Sequence, residues 1–232
     1  MLGGTIFSFD TGRLLRRHSI PPRNDILLFL LSCLLLFSCS PSTPPATPQL
    51  ITVYSTSAAQ PWLDPLYRCA ESRAVLSRVD DATSADITLR VGEPELLDSP
   101  AYQIDTEDIL IATNRQSPVQ NLTLEQARAL FAGQGDPSVQ VWVYASGEDV
   151  QEVFDRMVMT GVNITLSARI ASNPQQMSDT LVNQMGAVGI LPRHWKAGDV
   201  RAVFTVARVP VLVLTNSEPQ GVIRDLIACL QK

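Results

Sequence analysis

Residues 109–133 read ILIATNRQSPVQNLTLEQARALFAG, and this stretch decides the fold. Ile109 to Thr113 is a short apolar run rich in β-branched side chains, which suits a strand buried on both faces. Pro118 forces an extended path after it. Thr123 stands three residues before Gln126, so its hydroxyl can cap the N3 amide while the glutamine side chain reaches back, and a helix begins at Leu124. Leu124, Ala127, Leu130 and Phe131 keep one apolar stripe along that helix, and Gly133 supplies the left-handed residue that ends it. The unit is strand, extended connection, capped helix.

Read together, TNRQSPVQNLTLEQARALFAGQ at 113–134 resembles the crossover of type II periplasmic solute-binding proteins of the phosphate type. In that family a strand leaves the first lobe, an Asn-Pro-Val-like hinge follows, and an LTLEQ helix opens the second lobe. Ser117-Pro118-Val119 stands in the hinge position. The resemblance implies an α/β, two-lobed fold. Lobe one would comprise residues 50–113 and 204–232, lobe two residues 121–191, and the hinge segments 114–120 and 192–203. SADITLR at 84–90 is similar to the family's strand that ends at the interlobe cleft, and GAVGILP at 186–192 to the strand that returns toward lobe one. The family carries a further strand and helix after the first of these. This chain has no room for them, so the expected first lobe is abbreviated.

Upstream, residues 26–38 (ILLFLLSCLLLFS) form an uncharged run of 13 behind Arg13, Arg16, Arg17 and Arg23. That is short for a bilayer span and has the layout of a secretory signal. It closes on Ser38-Cys39, which resembles the lipobox of bacterial lipoproteins, although Phe37 is bulkier than the residue usual there. The resemblance implies that residues 1–38 are a signal peptide and that Cys39 is acylated. The expected location is the extracytoplasmic face of the cell membrane. Residues 39–49 contain four prolines and no charge, the composition of a semi-rigid tether.

With four arginines and two aspartates in that leader, the 18 basic and 23 acidic residues of the chain fall to 14 and 21, a net charge of −7. This charge argues against nucleic acid and anionic surfaces as partners. His18 lies in the leader, which leaves His194 as the one histidine and limits both metal sites and His-dependent catalysis. No cofactor, no metal site and no catalytic constellation is expected. Cys33 leaves with the leader and Cys39 is taken by lipid, so Cys69 and Cys229 remain as a pair. In an oxidising compartment they form a disulfide; two buried free thiols are the other reading.

Two hydroxyl-bearing loops complete the pattern. Ser55-Thr56-Ser57 follows the strand at 51–54, with Ser57 and Gln60 at capping-box spacing. Ser146-Gly147-Glu148 follows the strand at 139–144 and leads into a helix whose Val150, Val153, Phe154, Met157 and Val158 recur at helical spacing. In the family the second loop reads Arg-Ser-Gly-Thr and holds an oxyanion. Here Tyr144 or Ala145 replaces the arginine and Glu148 the threonine. The candidate ligand-binding residues are Ser55, Thr56, Ser57, Arg90, Ser146, Gly147 and Glu148, each serine doubling as a plain helix cap. The expectation is a solute-binding lipoprotein serving an ABC permease, with a small-molecule solute other than tightly held phosphate. The alternative is a ligand-free domain that acts as sensor, scaffold or partner-recognition module.

Overall fold

The computed structural model describes residues 48–232; the expected leader, Cys39 and the expected tether up to residue 47 lie outside the described residues. Eight strands, β1 (Gln49–Ser55), β2 (Ala74–Arg78), β3 (Ile87–Val91), β4 (Ala101–Asn114), β5 (Gln140–Val143), β6 (Arg169–Ile170), β7 (Ala187–Pro192) and β8 (Val200–Leu214), form one mixed sheet of order β2-β1-β3-β8-β4-β7-β5-β6. Five helices flank it among the described residues: α1 (Leu63–Ala70), α2 (Leu124–Phe131), α3 (Asp149–Phe154), α4 (Pro174–Asn183) and α5 (Gly221–Leu230).

The sheet is continuous because β4 and β8 are long and antiparallel to each other. The first half of β4 pairs with the last residues of β8, whose other edge carries β3 from Thr88↔Leu214 to Val91↔Val211. From Ile109 onward β4 carries β7 on its other edge, starting at Ile109↔Pro192. Between these regions Thr106, Glu107 and Asp108 pair with Pro210, Val209 and Arg208 alone. This bare ribbon is the crossing between two lobes: β1, β2, β3, α1 and α5 on one side, β5, β6, β7, α2, α3 and α4 on the other.

The two-stranded ribbon lies at 106–108 and 208–210, apart from the hinge segments expected at 114–120 and 192–203. Ile109 to Thr113 belongs to lobe two, where both edges are paired and its residues are fully buried. Ser117-Pro118-Val119 also sits within lobe two: Arg201 donates to the carbonyls of Ser117 and Val119, and the Leu122 amide donates to Val203. The first half of β4 escaped the sequence reading because QIDTED has no apolar alternation. β8 runs unbroken through Ala207 and Arg208 because β4 pairs with it along its length.

Local chemistry explains the elements that were legible. Thr123 and Gln126 form the expected reciprocal cap, with Gln126 Oε1 accepting from the Thr123 amide at 2.8 Å. Ala127, Leu130 and Phe131 turn inward, and Phe131 meets Phe154 at 4.6 Å between ring centroids. Gly133 has φ +82°, and a Cβ there would stand 2.8 Å from Thr165 Oγ1. Asn173 caps α4 with Pro174 in its first turn. After α3 the chain makes a π turn over Asp155–Met159, which adds a residue to the repeat; Met159 is buried in consequence while Met157, expected inward, is 46% exposed. The capping box expected at Ser57 does not form. Instead a 3-10 turn at Gln60–Trp62 leads into α1, which places Pro65 in the first helical turn, where its missing N–H is tolerated.

Residues 92–100 connect β3 directly to β4, which leaves lobe one with three short strands besides the ends of β4 and β8. Lobe one is closed by a disulfide between Cys69 on α1 and Cys229 on α5, 160 residues apart in sequence. Leu66, Leu226 and Ile227 pack beneath it in the common core.

Candidate functional site

The C-terminal ends of β1 and β3 in lobe one meet the start of α3 in lobe two. Strand β5 ends at Val143, the turn 145–147 follows with Gly147 at φ +91°, and Glu148 precedes the helix. Asp149 is 3% exposed and points across the boundary. Its Oδ2 accepts from the Thr56 hydroxyl at 2.6 Å and from the Val91 amide at 2.9 Å, while Oδ1 accepts from the Val150 amide at 2.8 Å. Two further bridges flank it. The Ser57 hydroxyl donates to Glu148 Oε2 at 3.0 Å, and Arg90 donates to Glu152 Oε2 at 2.8 Å while its Nε donates to the Gly92 carbonyl.

The backbones approach closely beside these bridges. Gly92, at φ +78°, leaves no room for a side chain: a Cβ would stand 2.8 Å from Val153 Cγ2 of α3. The electrostatics follow from this enclosure. Burial pushes the Asp149 carboxyl above its ordinary range, and the Thr56 hydroxyl, the Val91 amide and the Arg90 charge pull it back. Burial also raises the Tyr54 phenol, helped by Glu148 and Asp149, and holds the Tyr144 phenol well above its usual range. Tyr144, one of two residues in the place of an arginine, is buried with its hydroxyl unpaired and offers no cation.

Outside the Asp149 contact lies a cavity of about 400 Å³ lined by Tyr54, Thr56, Thr88, Arg90, Asp98 and Gly147, among others. A second, of about 470 Å³, opens on the far side of the turn, between Glu95, Ser146, Glu152 and Arg156. Of the residues singled out from sequence, Thr56, Ser57, Arg90 and Glu148 converge on the lobe boundary, and Gly147 lies on the rim of both cavities. Ser55 turns away to its neighbour's carbonyl, and Ser146 is exposed at the second cavity. The residues missed were Asp149, Glu152 and the Val91 amide. The available signal was the pair Glu148-Asp149 at a helix start, which reads locally as a favourable pairing with the helix dipole. Among the described residues no group of three or more His, Cys, Asp or Glu is placed to hold a metal ion.

No family model matches the chain, and no curated protein sequence matches it. Solved structures do. A protein from Clostridium perfringens described as a phosphate ABC transporter substrate-binding protein, with phosphate bound, superposes with TM-score 0.66 at 13% identity, over 78% of this chain and 93% of that one. An ABC-type phosphate transport receptor from Vibrio cholerae gives 0.59 at 17% identity over 78% and 93%. The regulatory domain of an OxyR2 variant from Vibrio vulnificus gives 0.58 at 10% identity over 79% and 97%. These likenesses establish the fold: a mixed α/β, two-lobed domain of the periplasmic-binding-protein type. The structures it resembles are binding proteins and regulatory domains.

Proposed function

We propose that this chain is a lipid-anchored, extracytoplasmic solute-binding component of an ABC-type import system, and that its solute is neutral, zwitterionic or cationic rather than phosphate. The observation that carries the reading is an open depression of about 400 Å³ on lobe one, bordered on the lobe-two side by Gly147 and within the size range of small-molecule sites. Tyr54 and Thr88 supply hydroxyls there, Asp98 a carboxylate and Arg90 a guanidinium already paired with Glu152, while the Thr56 hydroxyl on its wall is committed to Asp149. Glu148 and Asp149 stand at the helix start where a phosphate-type site needs donors, and no arginine fork accompanies them, which weighs against a dianion. The anchoring part of the proposal rests on the basic segment, the apolar run and Ser38-Cys39 in the sequence.

The test is thermal unfolding in the presence of amino acids, polyamines, sugars, small organic acids and oxyanions. A ligand at about 100 times its dissociation constant adds about 2.7 kcal/mol to stability. Stabilisation by an amino acid or an amine, and none by phosphate, is the expected result; tight phosphate binding refutes it. A second reading, a domain that works as a recognition or sensor module without solute, is favoured by one observation: Asp149 already joins the lobes. Silence across the whole screen would select it.

A further inference from the structure

We propose that the Asp149 carboxylate is a tethered anion that holds the lobes together in place of a ligand, and that removing it leaves a binding site for small monocarboxylates such as formate and acetate. The inference holds whichever solute the outer cavity takes, and also if it takes none.

Thr56 Oγ1 comes from the loop after β1 and the Val91 amide from the end of β3, both in lobe one, and both point at one oxygen of a side chain from lobe two. The Thr56 amide is fixed to the Leu89 carbonyl, so the loop that presents the hydroxyl is itself held by β3. Arg90 lies between these donors in the chain, anchored by its Nε to the Gly92 carbonyl and by its terminal nitrogen to Glu152. Together they form a pocket of preorganised donors with a cation beside it, the environment in which a carboxylate is bound by charge-assisted bonds. The occupant is present and buried, but it is covalently attached through α3. Attachment removes the cost of capturing a free anion, which is why the contact closes without one.

Truncation makes the site testable. In Asp149→Ala the Thr56 hydroxyl and the Val91 amide lose their acceptor, and the group removed is the carboxylate that formate or acetate would supply. The full chain in mild detergent should unfold about 5–10 °C lower as the variant than as wild type. Sodium formate or acetate should recover at least about half of that loss, with sodium chloride at matched ionic strength as the control. Wild type and the isosteric Asp149→Asn should not respond, because their site is filled, and adding Thr56→Ala to Asp149→Ala should abolish the recovery. A variant that is destabilised but insensitive to both carboxylates overturns the proposal, as does a wild type that formate stabilises equally. Should Asp149→Ala fail to fold, wild type alone decides. Its Val91 amide should exchange slowly, and its amide shift should follow a single carboxyl titration that Asp149→Asn abolishes. Fast exchange or an unresponsive shift refutes the tether.

Discussion

Breaking the Cys69–Cys229 bridge should cost this domain a large part of its stability, and the loop it closes sets the size. The bridge joins the first and last helices and spans 160 residues. In the chain-entropy treatment a loop of about 160 residues removes about 17 cal/mol/K from the unfolded ensemble, or about 5 kcal/mol at 25 °C. The native state keeps its contacts when the sulfurs go, because α1 and α5 still pack through Leu66, Leu226 and Ile227, all buried. Residual compactness of the reduced unfolded chain lowers the figure, so about 3–5 kcal/mol is expected. For a domain of this size that lowers Tm by about 6–20 °C. The assay is thermal and urea unfolding of oxidised wild type, wild type in reductant, and Cys69→Ser/Cys229→Ser, with the bridge verified by mass after alkylation. The urea slope should rise in both reduced forms, since their unfolded chains expose more surface. If both unfold within about 3 °C of the oxidised protein, the entropic account fails.

Gly92→Ala forces a left-handed alanine against Val153 and should destabilise by about 1–3 kcal/mol; small-angle scattering should show the lobes further apart, and Val153→Ala in the same chain should restore part of the loss. Phe131→Ala removes a fully buried ring that packs at a tilt against Phe154 and should cost about 3–5 kcal/mol by urea unfolding. Burial holds the Glu107 carboxyl above its ordinary range, against the opposing bond from His194; Arg193 and Asp108 contribute backbone bonds on the same side. Stability from such a group is complete below the unfolded-state value and is lost as pH rises through the raised folded value, so the Tm of Glu107→Gln minus that of wild type should grow from about pH 4 to about pH 8, and a flat or shrinking difference refutes it. Cys39→Ser should release the protein from membranes, and continued membrane fractionation after signal cleavage contradicts the lipoprotein proposal.

Lobe two was legible because its signals are local. The Thr123–Gln126 cap and the stripe ending in Phe131 sit within a dozen residues and agree with the fold, and the β-branched run at 109–113 is a buried strand although it was expected in lobe one. Lobe one was less so: Ser57 has cap spacing with Gln60, but a carboxylate 91 residues away outcompetes the local amide. Asp149 shows the same limit more sharply. An acid in a first helical turn is common, and only the placement of β1 and β3 opposite reveals that its partners are Thr56 and Val91.

The crossing ribbon was the least legible part, and the reason lies in its acids. Asp105, Glu107 and Asp108 give no strand signal because three carboxylates in four residues leave a strand no apolar face of its own. In the fold each carboxylate finds a donor from outside the ribbon or from its partner strand. The Trp62 indole donates to Asp105, His194 is bonded to Glu107, and Arg193 and Arg208 both donate to Asp108, whose pKa the Arg208 bond holds down. Trp62 belongs to lobe one, while Arg193 and His194 belong to the turn that leaves β7 in lobe two, and Trp195 of that turn donates to the Ala58 carbonyl of lobe one. The crossing is thus braced from both sides, and the Asp149, Glu148 and Glu152 bridges close the opposite end of the boundary. Moving the lobes apart requires breaking several charge-assisted bonds together, each worth about 1.5–3 kcal/mol where it is buried. On the solute-binding proposal, entry therefore runs through the outer cavity beside Tyr54 and Asp98 rather than by opening at the ribbon, and the bridge at Asp149 sets how far the cleft can yield.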